Sequence, residues 1–304
     1  MPSLRKLLQL SSIQDLEGSL LEIIALIQQF ASPVLDVVMS GVTRLGSEEA
    51  YITFLLVWYL GFNPATGRRI AVYFLGGAYL NQYLKILFDT ARPFDIDQAL
   101  LRLENVDRES LGSGFPSGHA QSAATFWGLA SIYIQKRVFT VMAVVVVLAI
   151  AYSRMYLGLH LPVDVVGGLL IGLAVVSLGL GLDRICWYSS SWWGFALGLF
   201  LPFLAHLVFT TTDSHVILGG LAGFLTGPML VKHQLPDSFW ARIIVVGLGL
   251  VMVFGYLFGT SLLLSEVIKD DVLLGFIRYL ILAYVGIVLV PLIGRIWGLS
   301  LRRL

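Results

Sequence analysis

The chain has 304 residues, of which 57% are hydrophobic and 13% are charged. Soluble globular proteins carry about 25% charged residues, so this composition excludes a water-soluble globule and indicates an integral membrane protein. A formal net charge of +1 leaves no basic excess to bind a phosphate backbone, which excludes nucleic acid as a partner. The single cysteine, Cys186, cannot form an internal disulfide, and no Cys/His spacing indicates a metal site.

The chain opens with a short amphipathic segment, residues 1–19, which lacks the apolar core and cleavage site of a signal peptide. Apolar stretches long enough to cross a bilayer then follow one another. The sequence predicts an all-α polytopic bundle of about ten spans. These spans are expected at 20–43, 50–63, 68–88, 119–135, 138–157, 161–182, 188–209, 214–231, 239–264 and 272–297.

The distribution of Lys and Arg predicts the orientation of these spans, because cytoplasmic loops retain positive charge. With the N-terminus inside, twelve of the twenty Lys and Arg residues fall on the cytoplasmic side. We therefore predict an N-in, C-in multi-pass protein of the cell or inner membrane. The long polar loop from Asp89 to Gly118 and the turn from Arg154 to His160 would then share the outer face.

Polar side chains gather at that face in three groups. The groups are Lys85 and Arg92; Pro116, Ser117, Gly118 and His119; and Ser153, Arg154, His160 and Asp164. Lys and Arg donate to phosphate oxygens, the first as a point charge and the second as a planar fork. Pro-Ser-Gly before a helix adds a capping hydroxyl and free backbone N–H groups. Together these groups predict an anion-binding site.

The two histidines are expected to play different parts at such a site. His160 and Asp164 are four residues apart at the start of a span, so the carboxylate lies near the imidazole. A carboxylate that accepts the Nδ1 proton leaves Nε2 as a bare nucleophile. His119 has no neighbouring carboxylate in its motif and is the better candidate for the protonated acid.

These residues resemble the signature of the type 2 phosphatidic acid phosphatase (PAP2) superfamily, which reads KxxxxxxRP, PSGH and SRxxxxxHxxxD. The three parts stand here as Lys85-ILFDTA-Arg92-Pro93, Pro116-Ser117-Gly118-His119 and Ser153-Arg154-MYLGL-His160-LPV-Asp164. No motif residue is substituted and no internal spacing is altered.

The resemblance implies a mechanism. His160 would attack phosphorus and form a phosphohistidine, Asp164 would orient it, and His119 would protonate the leaving oxygen. The phosphate oxygens would be held by Lys85, Arg92, Arg154, Ser117 and the Gly118 N–H, the electrostatic clamp that phosphoryl transfer needs. No metal or cofactor is required in this scheme.

The resemblance covers residues 20–182, a six-helix catalytic core, and leaves 183–304 as about four additional helices of unknown role. In the second part, Gly219, Gly223 and Gly227 repeat at four-residue spacing, as do Gly168 and Gly172 in the core, and predict closely packed helices. Asp36, inside the first predicted span, is expected to have a polar partner within the bundle.

The predicted function is therefore a membrane phosphatase for a lipid phosphate or diphosphate, such as polyprenyl diphosphate, phosphatidate or phosphatidylglycerophosphate. Its expected partners are a lipid substrate and the bilayer, and a homodimer stays open. A phosphatase for a water-soluble phosphomonoester would share the same residues. A non-hydrolytic phosphate-binding transporter or phosphotransferase is the remaining alternative, although a transporter should show paired repeats that are not evident here.

Overall fold

A computed structural model describes residues 18–102, 112–183, 191–211, 213–265 and 271–299. Every regular element in these ranges is helical, so the predicted all-α fold is confirmed. The longer elements are α1 (Gly18–Gln28), α2 (Pro33–Arg44), α3 (Glu48–Val57), α4 (Pro64–Phe88), α6 (Gly118–Ile134), α7 (Arg137–Tyr156), α8 (Pro162–Asp183), α9 (Trp192–Val208), α10 (Ser214–Leu230), α11 (Phe239–Leu263), α12 (Val272–Tyr284) and α13 (Val290–Ile296).

Short helical turns complete the framework. A π-helical turn, Trp58–Phe62, continues α3, and another, Val285–Leu289, joins α12 to α13. After α4 the chain forms a single turn, α5 (Pro93–Ile96), and a 3₁₀ turn at Gln98–Leu100.

Several helices have the length and composition of membrane spans. Within the described ranges, Arg137–Tyr156, Pro162–Asp183, Phe239–Leu263 and Val272–Ile296 are long and apolar enough to cross a bilayer. Trp192–Val208 and Ser214–Leu230 are apolar but shorter. The chain is therefore a multi-pass membrane protein, and the total of about ten spans stays a prediction.

The segment predicted as a span over 20–43 is not one continuous helix. α1 and α2 are bent by 115° relative to each other at the break between Gln28 and Pro33. Pro33 has no backbone N–H and cannot extend the preceding helix. Ser32 starts α2 instead, because its hydroxyl accepts the Leu35 N–H at 3.2 Å. The hydrophobicity of the sequence alone does not indicate this break.

The chain divides into two compact units, each assembled from separate segments. The first unit contains Met1–Ser47, Leu84–Gly128 and Gln135–Leu173, and the second contains Glu48–Tyr83, Leu129–Ile134 and Ala174–Leu304. All the residues of the three sequence motifs lie in the first unit.

Glycines bring α6 and α8 into close contact within the first unit. A Cβ atom added to Gly168 would lie 2.4 Å from the Ser117 carbonyl oxygen, and one added to Gly172 would lie 2.7 Å from the Ala124 Cβ. The close approach predicted from the Gly168/Gly172 repeat is confirmed. It fixes the N-terminus of α6, where the PSGH motif ends, against the first turns of α8.

In the second unit, glycines likewise allow α10 and α12 to pack closely. Added Cβ atoms at Gly219 and Gly223 would lie 2.7 Å from the Phe276 carbonyl oxygen and 2.3 Å from the Ala283 Cβ. One at Gly227 would lie 2.7 Å from a methyl carbon of Ile287. This predicted glycine seam is therefore an intramolecular packing surface.

We expect Gly223→Ala to lower the thermal stability of the detergent-purified protein, because overpacking a close contact costs about 1–3 kcal/mol. Adding Ala283→Gly should restore the melting temperature, since it removes the atom that the new methyl group meets. Gly220→Ala is the matched control, because its Cβ would lie 3.6 Å from Leu75, an ordinary contact. An equal loss in both single variants would contradict this packing.

Candidate active site

The turn between α7 and α8, residues Leu157–Leu161, sets the geometry of the site. The N–H groups of Leu159 and His160 donate to the Arg154 carbonyl at 3.0 and 3.3 Å, so the chain folds back on the end of α7. Gly158 has a φ of 72°, and a Cβ there would lie 1.9 Å from the Leu100 carbonyl oxygen. Only glycine fits this position. The turn places His160 beside Arg154, where both are buried.

His160 and Asp164 lie together as their spacing predicted, but the expected hydrogen bond between them is not formed. Nδ1 of His160 is 3.4 Å from Oδ2 of Asp164 and makes no hydrogen bond within the described part of the chain. The same oxygen accepts the Leu161 N–H at 2.8 Å. Asp164 thus caps the N-terminus of α8 from its third position, as in a capping box, and holds its carboxylate against the imidazole.

The other ring nitrogen of His160 points toward Arg92. Nε2 is 3.4 Å from Nη1 of that guanidinium. Burial, followed by the charges of Arg92, Arg154 and Lys85, lowers the pKa of His160 well below its usual value; His119 contributes to the same effect. His160 is therefore neutral near pH 7, the state that a nitrogen nucleophile requires.

Arg92 is buried and ties the long polar loop to the α7–α8 turn. Its guanidinium donates to the carbonyl oxygens of Gly112 at 2.7 Å, Leu159 at 2.9 Å and Ser113 at 3.3 Å. Burial lowers the pKa of Arg92 to about 10, against the opposing effect of Asp164 and Asp95, so the charge persists at neutral pH. Lys85, at the end of α4, donates to the same Ser113 carbonyl.

Thr90, which no sequence argument singled out, joins the two ends of this loop. Its N–H donates to the Ser113 hydroxyl at 2.8 Å, and its own hydroxyl accepts the Phe115 N–H at 2.7 Å. Its carbonyl accepts the Gly114 N–H at 2.8 Å. These bonds bring the KxxxxxxRP motif beside the PSGH motif.

Ser117 connects the PSGH motif to α8. Its N–H donates to the Asp164 carbonyl at 3.0 Å. Its hydroxyl is fully buried and has no hydrogen-bond partner among the described residues, so the predicted capping bond to α6 is not formed. The Nε atom of Arg154 is also buried without a partner in that part of the chain. Unpaired buried polar atoms cost about 1–3 kcal/mol each, a cost that a bound anion would offset at Arg154 and Ser117.

The end of α2 and the link that follows it form a further wall of the site, which the sequence did not reveal. Nη1 of Arg154 donates to the Thr43 hydroxyl at 2.8 Å, and both residues are buried. A Cβ at Gly46 would lie 2.8 Å from Cδ2 of His119. These residues are far from the motifs in the chain and carry no motif of their own. Only the folded structure identifies them.

The structure thus brings the predicted residues together at one end of α6, α7 and α8. His160, Asp164, Arg92, Arg154 and Ser117 are buried side by side, while Lys85 and His119 are half-buried at the edge. Gly118 is the first residue of α6, where helix geometry leaves backbone N–H groups free to bind an anion.

A family model described as "PAP2 superfamily" matches residues 66–192, a range that contains all three motifs. This chain carries a PAP2 superfamily domain. The solved structure of a transmembrane PAP2-type phosphatidylglycerolphosphate phosphatase from Bacillus subtilis superposes with a TM-score of 0.50 and 24% identity, over 57% of this chain and 88% of that one. That likeness supports the fold.

Two curated relatives are similar in sequence to this chain. Phosphatidylglycerophosphatase B of Bacillus subtilis is 28% identical over 187 residues, which cover 57% of this chain and 86% of the relative. Sphingosine-1-phosphate phosphatase 2 of Mus musculus is 31% identical over 140 residues, 44% of this chain but only 38% of the relative. The enzyme class of the chain is therefore phosphatase.

We expect Thr43→Val to lower kcat/KM about 10- to 100-fold, because the buried Arg154 guanidinium loses an acceptor worth about 1.5–3 kcal/mol. Thr43→Ser keeps the hydroxyl and should retain most of the activity. Phosphate release by the purified variants, measured alongside their melting temperatures, checks this. If the Thr43→Val variant had the kcat/KM of the parent protein, or if Thr43→Ser lost as much kcat/KM as Thr43→Val, then Thr43 would not position Arg154.

Proposed function

We propose that the chain is a metal-independent membrane phosphatase that hydrolyses a lipid phosphate or diphosphate through a phosphohistidine intermediate. The observation that carries the proposal is the buried neutral His160, with one ring nitrogen at Asp164 and the other at Arg92. Such a site pairs a nucleophile with fixed positive charge, which is what attack on a phosphate monoester or diphosphate demands.

In the proposed reaction, the lone pair on Nε2 of His160 attacks phosphorus as the bond to the leaving oxygen breaks. His119 donates a proton to that oxygen. Asp164 stabilises the positive charge that develops on the imidazole. Water, giving its proton to His119, then attacks phosphorus and breaks the P–N bond, which releases inorganic phosphate and restores His160.

The remaining site residues would hold the phosphate oxygens throughout. Arg92 and Arg154 present guanidinium groups from the long loop and from the end of α7, and Lys85 reaches the same region from α4. The Ser117 hydroxyl and the N–H of Gly118 supply neutral donors. Fixed donors of this kind need no rearrangement as charge moves during the reaction.

Two features support a lipid as the substrate. The site lies at the ends of apolar helices that have the length of membrane spans, so an amphiphile can keep its tail in the bilayer while its headgroup reaches His160. Relatives are named as phosphatases for phosphatidylglycerophosphate and sphingosine 1-phosphate. We further propose 20–182 as the catalytic core and 183–304 as additional helices of a role still to be assigned.

For orientation, we propose that the active site faces the extracytoplasmic side and that the C-terminus is cytoplasmic, as the distribution of Lys and Arg indicates. The prediction that the N-terminus is also cytoplasmic requires residues 20–43 to cross the membrane as one segment.

The deciding experiment is phosphate release by the detergent-purified protein in EDTA. The substrates to compare are polyprenyl diphosphate, phosphatidate, phosphatidylglycerophosphate, sphingoid-base phosphate and glucose 6-phosphate. We expect metal-independent release from at least one of the lipids and little from glucose 6-phosphate. Release from glucose 6-phosphate alone would overturn the lipid assignment, and release from none would overturn hydrolysis.

We expect His160→Ala to abolish phosphate release from every substrate, because the nucleophile is lost. His119→Ala should cost about 10²–10⁴-fold with a lipid phosphate and clearly less with an aryl phosphate, whose leaving oxygen needs no proton. Steady-state rates on both substrates check this. Equal losses on the two substrates would argue against His119 as the acid.

A further inference from the structure

The segment of residues 18–43 contacts the surroundings of the α7–α8 turn near both of its ends. A straight helix would separate positions 20 and 43 by roughly 35 Å, enough to cross the hydrocarbon core. Instead, Ile24 of α1 packs on Leu161, and Thr43 of α2 bonds to Arg154. Leu161 and Arg154 both flank His160, so the segment returns to the face from which it started.

Specific bonds hold α1 at that face. The side-chain amide of Gln28 donates to the carbonyl oxygens of Leu100 and Tyr156, each at 2.8 Å. These carbonyls belong to the 3₁₀ turn of the long loop and to the last residue of α7. Leu20, Leu21 and Ile24 pack around Leu100 and Leu161 beside them. The inner face of α1 therefore covers the α7–α8 turn.

Asp36 fixes the start of α2 to the same surface. Its two carboxylate oxygens accept from the Arg102 guanidinium at 2.8 and 2.9 Å, and one of them also accepts the Tyr156 hydroxyl at 2.6 Å. The polar partner predicted for Asp36 is thus confirmed. It is a residue of the long loop next to the active site.

Large apolar side chains are exposed on α1, on the bend that follows and at the start of α2, beside the exposed Glu22 of α1. Ile23, Leu26, Phe30 and Val34 are 41%, 56%, 80% and 75% exposed. The opposite faces of these helices pack on the turn between α7 and α8, both of which have the length and hydropathy of membrane spans. At that level the surroundings of an apolar surface are the acyl chains and headgroups of one leaflet.

We infer that α1 lies at the membrane interface on the active-site face, where its outward apolar surface binds the hydrocarbon of the leaflet that supplies the substrate. The segment α1–α2 is then a re-entrant wall of the site and not a membrane span. The start of α1 lies on the same side as the active site, in contrast to the N-in orientation predicted from the sequence.

Cysteine labelling tests this location directly. In a Cys186→Ser background, Gly18→Cys would be compared with Ala99→Cys, which is exposed in the long loop, and with Lys136→Cys, which is exposed at the other end of α7, about 30 Å from Tyr156. A Cβ at Gly18 meets no atom within 4 Å. Glu22→Cys is a second exposed position on α1.

Reactivity of each position toward an impermeant maleimide would be established first in permeabilised cells and then measured in intact cells. We expect Gly18→Cys and Glu22→Cys to follow Ala99→Cys and to differ from Lys136→Cys. If they followed Lys136→Cys, the inference would be overturned. This comparison does not depend on catalytic activity.

The lipid contact has its own test, which rests on the proposed function. Leu26→Asn should raise KM for a long-chain lipid phosphate in vesicles about tenfold, the effect of losing one leucine contact with hydrocarbon, while kcat stays unchanged. Val138→Asn, an equally apolar exposed position at the far end of α7, should leave both constants unchanged. Equal KM values for the two variants would contradict the contact between α1 and the hydrocarbon. An inactive parent protein would contradict only the proposed function.

Discussion

The buried guanidinium of Arg92 joins segments that are far apart in the sequence. Through the carbonyls of Gly112, Ser113 and Leu159 it holds the end of the long loop against the α7–α8 turn, and it faces Nε2 of His160. Burying a charged group is costly unless its donors are satisfied, and three main-chain acceptors meet that need here. The described end of the loop and the turn are therefore held by the same group that faces His160.

The charge balance of the site explains why it suits phosphate. Arg92, Arg154 and Lys85 stand near two carboxylates, that of Asp164, which already accepts the Leu161 N–H, and that of Asp95, which accepts the Arg92 N–H. Burial, together with this positive charge, keeps His160 neutral, and the excess of positive charge suits a bound anion. The Arg154 Nε and the Ser117 hydroxyl, which have no hydrogen-bond partner among the described residues, point to the same conclusion. These two atoms lower the stability of the folded protein locally, which is common in binding sites that are formed before the ligand binds.

Close approach of main-chain atoms also sets the geometry of the site. Gly158, Gly168 and Gly46 allow main chain or ring atoms to approach where any larger residue would collide. These contacts set the α7–α8 turn against the loop, the PSGH motif against α8, and the link after α2 against His119. Because protein interiors are close-packed, a displacement at any of the three would move His160, Ser117 and His119 relative to one another. The glycine seam between α10 and α12 gives the second unit comparably close contacts.

The sequence by itself determined the helical class, the three motifs, the pairing of His160 with Asp164, and the glycine repeats, because periodicity, spacing and residue chemistry are local properties. It also indicated a polar partner for Asp36, although not that the partner is Arg102. The tertiary structure alone decided that residues 20–43 are broken and folded back, that Thr43 holds Arg154, and that Thr90 closes the loop. It also decided that the Asp164 carboxylate caps α8 and does not hydrogen-bond His160. Each of these features depends on contacts between distant segments or on two donors that compete for one acceptor. Local hydrophobicity and residue spacing do not indicate such contacts or such competition.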